Sequence, residues 1–454
     1  MSSMSDSSQI NQSLDRCLLR PPTSVRGMKT LDRSKFLKSI NVPWLLIDET
    51  RLGPMMKHIK RYLLKVDNFK PVQLLDCGKN RKVILNPMIV RCYKDLEDAI
   101  QSCNISEDSL KFENIELTYE NWRADELLKA ILPEDKDSLT SYSIIGHIVH
   151  INLREHLLDY KHIIGQILLD KVKGAKTVVN KTDIIDNTYR NFNMEVLCGE
   201  DNFFAQVREN HCTFEFDFSS VYWNPRLSSE HERIVQKIKE GDILYDVFAG
   251  VGPFAIPAAK KKCIVLANDL NPESHKWLLH NGKINKVLKL LQTFNKDGGD
   301  FIKYDMKRDM LQRWQSGNYK SSTMHITMNL PAMAATFLKY FKALFTSSEV
   351  ESIEVNNFPV VHLYCFAKGD DPIAIAKELV EENLDTKLKD NLVDIFHVRN
   401  VSVNKEMMRV TFSLPKDVCI EEQCKISKRC SEDLPDKSQI KRQCFGENGE
   451  DHQV

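Results

Sequence analysis

The segment Ile243-Leu244-Tyr245-Asp246-Val247-Phe248-Ala249-Gly250-Val251-Gly252-Pro253-Phe254 leaves the backbone few choices. An apolar run of strand length ends in a carboxylate, then in two glycines and a proline, a series that reads as strand, tight turn and helix start. Further along, Met328-Asn329-Leu330-Pro331 closes a second strand with an amide and a rigid ring. Together they outline a nucleotide-type cofactor crevice with a substrate clamp beside it.

A glycine turn of this kind also serves dinucleotides. Gly250 to Ala255 fits that fingerprint with alanine in the third glycine slot, and Asp269 sits where a ribose-binding acid belongs. Asp246 favours another ligand, because a carboxylate against the turn would repel a pyrophosphate at the helix N-terminus. It would welcome the ammonium and sulfonium of S-adenosylmethionine, whose ribose still wants Asp269. The plainer alternative is a structural βαβ unit with an N-capping aspartate.

From Ser228 onward helices and strands alternate. Ser229 is the expected N-cap of a helix to Ile238; strands follow at Ile243–Phe248, Cys263–Asn268, Leu290–Phe294, Met324–Met328 and Val360–Phe366, with helices between them. Two last strands, Ile395–Val401 and Met407–Leu414, are joined so briefly that they must be antiparallel. The expected fold class is therefore α/β, a Rossmann-like parallel sheet closed by an antiparallel hairpin, as in class I methyltransferases. Two smaller α/β modules precede it. Residues 41 to 140 carry a strand at Val42–Ile47 and helices at Met55–Val66, Asp95–Ala99 and Ala124–Leu132. A polar run after Pro133 marks a boundary, and residues 141 to 225 carry strands near Ile148, Val178, Val196 and Phe214 with a helix from His156 to Leu169. The catalytic unit is expected over 226 to 415, between disordered tails at 1 to 40 and 416 to 454.

Sixty-three basic residues offset sixty-three acidic ones, so nucleic-acid binding must come from local patches and shape. The apolar runs are strand-sized, and no membrane span is expected. The twelve cysteines contain no C-x-x-C pair; reduced thiols are expected, and Cys419, Cys424 and Cys430 lack histidines at zinc spacing, so no metal is expected. Arg16, Arg20, Arg26, Lys29 and Arg33 give the first tail the basic bias of a weak mitochondrial presequence. Basic clusters at Lys425-Lys428-Arg429 and Lys441-Arg442 have the composition of a nuclear import signal or of plain solvated charge.

The glycine segment, Asn268-Asp269-Leu270-Asn271-Pro272, Met328-Asn329-Leu330-Pro331, Val221-Tyr222-Trp223-Asn224-Pro225-Arg226-Leu227 and Ser229-Glu230-His231-Glu232-Arg233 closely resemble the archaeal and eukaryotic tRNA (guanine-N1)-methyltransferases that act on position 37. Arg26-Gly27-Met28 and Leu31-Asp32-Arg33 look like the eukaryotic branch. The resemblance implies methylation of guanosine N1 beside the anticodon, with S-adenosylmethionine as donor and tRNA as partner, in support of reading-frame maintenance. It further implies a monomer distributed among cytoplasm, nucleus and mitochondrial matrix.

It also implies residue roles. Glu230 is the base that removes the N1 proton, and Arg190 holds O6 as charge develops there. Asn329 and Pro331 form the crevice lip, and Tyr222 shapes the base pocket. For the cofactor the resemblance points to Asp246, Gly250, Gly252 and Asn329, to His231 near the methionine end, to Asp269 and Leu270 at the ribose, and to Asp297 and Gly298 at the adenine, with Asp300 as competitor. Lys171, Lys173, Lys176, Lys181 and Arg190 form either a phosphate track or solvated charge. An oxidoreductase and a catalytically idle RNA-binding relative are the rival classes.

Overall fold

The structure, a computed structural model, describes residues 18–75, 78–96, 105–134, 141–185, 192–317, 322–351, 353 and 358–421. Four antiparallel strands open it: β1 Lys38–Asp48, β2 Val72–Leu74, β3 Asn80–Ile84 and β4 Leu110–Leu117, in the order β2-β3-β1-β4. Alternation along β1 sends Ile40 and Val42 into one core and Leu45 and Ile47 into another, so this sheet is covered on both faces. The helix after β1, α1 Glu49–Ile59, starts earlier than its apolar spacing suggested, because the Asp48 carboxylate accepts the Thr50 N–H and caps it. A second helix, α2 Ala124–Ile131, ends this region.

Residues 18 to 40 are not a tail. Val25 and Phe36 are wholly buried, Trp122 Nε1 donates to the Phe36 carbonyl at 3.1 Å, and Gly27 N–H donates to Ile131. Three of the basic residues that suggested a presequence are ion-paired: Arg26 with Glu134, Lys29 with Asp159 and Arg33 with Asp170, while Arg16 lies outside the described residues.

The second unit holds β5 Ser143–Ile145, β6 Ile148–Ile151, β7 Thr177–Ile185 and β8 Phe192–Gly199, with helix α3 Lys161–Lys171 crossing between the parallel pair β6 and β7. Gly165 lets α3 sit close on β8, since a Cβ there would lie 2.8 Å from that of Leu197. Leu127, Ile131, Ile164, Leu168 and Leu197 belong to one core, so the two N-terminal units share their hydrophobic interior instead of forming separate modules at residue 140. Residues 135 to 140, the expected boundary, lie outside the described residues.

A hairpin follows whose second strand was expected and whose first was not: β9 Phe204–Glu209 and β10 Cys212–Asp217, turned at Asn210 and His211, both with positive φ. Phe214 and Phe216 pack on Trp223 and join the core of Leu227, Ile234 and Leu278. The core of the third unit thus begins near residue 204, well before residue 226.

That unit is α4 Ser228–Lys237, β11 Ile243–Asp246, α5 Ala255–Lys260, β12 Ile264–Asn268, α6 Pro272–Ile284, β13 Leu291–Phe294, α7 Lys307–Ser316, β14 Met324–Met328, β15 Val360–Lys368, α8 Pro372–Leu384, β16 Leu392–Ser402 and β17 Lys405–Ser413. Its seven-stranded sheet runs β13-β12-β11-β14-β15-β17-β16, parallel through β15 and then antiparallel, as the brief link between the last strands required. The order reverses between β11 and β14, which opens a crevice at their carboxyl ends. Residues 416 to 421 are not a tail: Cys419 is buried and Phe345 bridges Ile420, while residues 422 to 454 lie outside the described residues. Among the described residues no helix is long and apolar enough to cross a membrane.

Candidate active site

Asp246 ends β11, wholly buried, and its Oδ1 accepts the Thr327 hydroxyl from β14 at 2.8 Å. Its Oδ2 has no hydrogen-bond partner among the described residues, and the same holds for Oδ1 of Asn329, just past β14. Two buried acceptors without donors, at the ends of two adjacent strands, mark the place where a ligand is required to satisfy them. Burial, opposed by the Thr327 hydrogen bond and reinforced by the nearby Asp269 charge, pushes the Asp246 carboxyl up to about 7.

The glycine turn is already occupied on its amide side. Gly250 N–H donates to Asp269 Oδ2 at 2.8 Å, and Asn271 N–H donates to Asp269 Oδ1 at 2.9 Å. A pyrophosphate would find that N–H taken and two carboxylates beside it, which removes the dinucleotide alternative on geometry as well as charge. Burial also raises the Asp269 carboxyl above its ordinary range. Gly250 has φ +54°, and Gly252, at φ +100°, packs so tightly that a Cβ would lie 2.7 Å from Ile256. Asn268 ties the floor together, donating to Val247 and Lys296 carbonyls while accepting the Lys296 N–H. Leu270 is exposed at the rim.

On the far side, Asp297 Oδ1 caps the Gly298–Asp300 turn by accepting Gly299 N–H at 2.8 Å, and Gly298 is buried against Phe248 and Phe337. Asp300 is exposed and ion-paired to Lys303 at 3.0 Å. Pro331 is pinned by its carbonyl, which accepts Phe366 N–H from β15 at 3.2 Å.

Glu230 is where tertiary structure adds most. The helix begins at Ser228 with Leu227 as its cap position, because a tight turn at Pro225–Leu227, capped by Asn224, feeds directly into it; Ser229 is therefore inside the first turn. Glu230 is buried, and Oε1 accepts the Tyr364 hydroxyl at 3.0 Å and Arg409 Nη1, while Oε2 accepts Arg233 Nη1. Arg226, four residues before it, donates to Ser141 Oγ. Arg409 and Glu230 are both almost wholly buried, and removing one member of such a pair costs about 3–5 kcal/mol. Tyr364, two residues before Phe366 on β15, links Glu230 to the Asn329-Pro331 corner, and both rings pack in one core.

His231 is buried with Nδ1 2.6 Å from Glu209 Oε1 and its ring edge-on to Phe254 of the glycine loop at 4.8 Å. It therefore borders the crevice but has a protein partner of its own. Tyr222 is exposed; Ser220, just before it, accepts Asn271 Nδ2, which sets Tyr222 near the Asp269 loop. Arg190 lies outside the described residues. Of the expected phosphate track, Lys171 is committed to the Tyr119 carbonyl and Glu120 inside the first unit.

The residues missed in the sequence are Arg409, Tyr364, Arg233, Thr327 and Glu209. Arg409 left a readable trace: an arginine in the middle of Met407-Met408-Arg409-Val410-Thr411-Phe412 is a charge inside a core strand and needs a buried partner.

The family model described as the TRM5/TYW2 methyltransferase domain matches residues 205–369, and the TYW2 N-terminal domain model matches 124–202. Their junction coincides with the start of β9. A tRNA (guanine(37)-N(1))-methyltransferase of Drosophila pseudoobscura pseudoobscura is 48% identical over 422 residues, covering 91% of this chain and 96% of that protein. The Mus musculus protein of the same name is 45% identical over 408 residues, covering 88% of this chain and 80% of its own length. Trm5b from Pyrococcus abyssi has a similar fold at TM-score 0.57 and 22% identity, over 82% of this chain and 98% of that one. The complex of aTrm5 with tRNALeu gives TM-score 0.56 at 20% identity, over 82% and 99%.

Proposed function

The chain belongs to the tRNA (guanine(37)-N(1))-methyltransferase family, and from that premise we propose that it methylates N1 of guanosine 37 in tRNA with S-adenosylmethionine as donor. The observation that carries this reading is the pair of buried, unpartnered acceptors, Asp246 Oδ2 and Asn329 Oδ1, at the ends of two adjacent strands. A carboxylate and an amide oxygen suit a ligand that is cationic and rich in donors. When bound, the cofactor supplies a methyl group on a sulfonium, activated for attack by a nitrogen lone pair.

Each residue then has a task. Asp246 and Asn329 hold the cationic end, Asp269 the ribose, and Asp297 with Gly298 the adenine; Asp300 is spent on Lys303. Gly250 and Gly252 shape the turn, and Leu270 screens its rim. Glu230 takes the N1 proton through Oε2, the oxygen on the open side, because Tyr364 and Arg409 both lie on Oε1 and Arg233 on Oε2 is 38% exposed. Arg190 meets the charge that moves onto O6, Asn329 and Pro331 set the edge of the base, and Tyr222 covers it from the mouth. Position 37 lies in a loop, where a base can be splayed from its stack. The N-terminal units supply the tRNA-reading surface, and tRNA as the partner is supported by the complex of the structural relative aTrm5 with tRNALeu.

Purified protein given labelled donor should methylate a tRNA transcript with guanine at position 37 and leave one with adenine there untouched. Transfer to neither, or equally to both, removes the proposal; tight binding of NADH in place of S-adenosylmethionine would restore the oxidoreductase reading.

Donor binding should also depend on pH. A cation stabilises ionised Asp246, whereas the ligand-free carboxyl titrates at about 7, so affinity should fall as pH drops through that value, by up to about tenfold per pH unit. Calorimetric titration between about pH 5.5 and 8.5 checks this, and a flat profile would show that Asp246 does not face the donor's charge.

A further inference from the structure

Behind Glu230 runs a line of buried polar side chains that the reaction above leaves unused. Arg409 Nε donates to Thr411 Oγ1 at 3.2 Å; Thr411 Oγ1 and His362 Nδ1 are 3.2 Å apart; His362 Nε2 and His325 Nδ1 are 3.1 Å apart; and His325 Nε2 lies 3.5 Å from Asp242 Oδ2. All five residues are at most 6% exposed. Hydrogen counting gives the line one direction. Counted from the carboxylate end with both imidazoles neutral, His325 turns its Nε2–H toward Asp242, its Nδ1 accepts from His362 Nε2, and His362 Nδ1 accepts the Thr411 hydroxyl, which accepts in turn from Arg409. Burial lowers the pKa of both rings, with His325, Arg409 and Lys237 adding to the effect at His362 and Asp242 opposing it at His325.

Asp242 is itself anchored by the N–H groups of Lys239 and Thr323, so the far end of the line is fixed to backbone. The near end fixes the guanidinium plane of Arg409, which also donates Nη2 to Asp394 Oδ2 at 2.9 Å and lies over the Phe396 ring. The ionisable groups facing Glu230 are Arg233 on its own helix, Tyr364 on β15 and Arg409 on β17, with Asp394 on β16 behind Arg409.

We propose that Arg409 is a positioning residue for Glu230, aimed by Thr411, His362, His325 and Asp242, and that as its buried counter-charge it holds the carboxylate with Oε2 turned toward the guanine. The proposal rests on the assignment of Glu230 as the base. It asks nothing of the line as a proton conductor, since a guanidinium does not give up its proton.

The test is the pH profile of single-turnover methyl transfer to the guanine-37 transcript. Arg409→Gln should slow transfer about tenfold or more near pH 6 and progressively less toward pH 8.5, because an opposite charge at contact distance favours the charged form of a carboxylate and the variant lacks it. Donor affinity should change less than about twofold, since the cofactor residues are elsewhere, and Arg409→Lys, which keeps the charge but loses the Nε link to Thr411, should recover part of the rate near pH 6. Thr411→Val, which removes only the bridging hydroxyl, should displace the profile in the same direction by less. A loss uniform in pH, equal weakening of donor binding, or failure of Arg409→Lys to rescue would mark a purely structural residue and overturn the proposal. Where Arg409→Gln does not fold, the Thr411→Val profile decides alone. Full activity of Glu230→Gln in the same assay would refute the base assignment itself, whereas an inactive Glu230→Gln beside unshifted Arg409 and Thr411 profiles would refute the positioning alone.

Discussion

Glu230→Gln is expected to lower single-turnover methyl transfer by about 10²- to 10⁴-fold while donor affinity stays within about twofold. Glutamine keeps the shape and can still accept from Tyr364 and Arg409, but its nitrogen offers hydrogens where Oε2 had offered a lone pair to the N1 proton. The substitution also leaves Arg409 with Asp394 as its remaining anion, so thermal stability should fall, and folding must be followed alongside rate. Rapid-quench transfer on the guanine-37 transcript separates the two effects. Turnover at the wild-type rate would place the base elsewhere.

Asp246→Asn should act on binding, with the opposite sign on stability. Burying a carboxylate whose Oδ2 lacks a donor is unfavourable, and a pKa raised to about 7 means that the ligand-free fold loses stability as pH rises from the ordinary carboxylate range to about 7. Asparagine removes that charge and can still accept the Thr327 hydroxyl, so ligand-free protein at pH 8 should melt higher, by about 1–2 °C for each kcal/mol recovered in a chain of this length. Donor affinity should fall on the order of 10²-fold, as when one member of a buried charge pair is truncated. A variant that melts lower and binds the donor normally would show that Asp246 serves the fold and not the ligand.

The parallel strands, their helices and the final hairpin were legible because each strand is a short apolar run and each helix has its own spacing. Asp246, Asp269 and Asn329 were legible because strand ends in such a sheet converge on the switch point. The strand at Phe204–Glu209 escaped because half of it is polar, and its turn, Asn210-His211, lacks the usual glycine. Residues 18 to 40 read as a tail because their few apolar anchors, Val25 and Phe36, acquire meaning only against Trp122 and Ile131.

The amino-acid sequence by itself determined which segments become strands and helices, and that a carboxylate would stand against a glycine turn; both follow from interactions among residues near in the chain. Tertiary structure alone decided what each buried polar group meets. Arg409 reaches Glu230 across 179 positions, and Asp246 finds Thr327 across 81. Those meetings depend on the order in which strands are laid side by side, and burial then makes each one strong by excluding the water that would otherwise satisfy both partners.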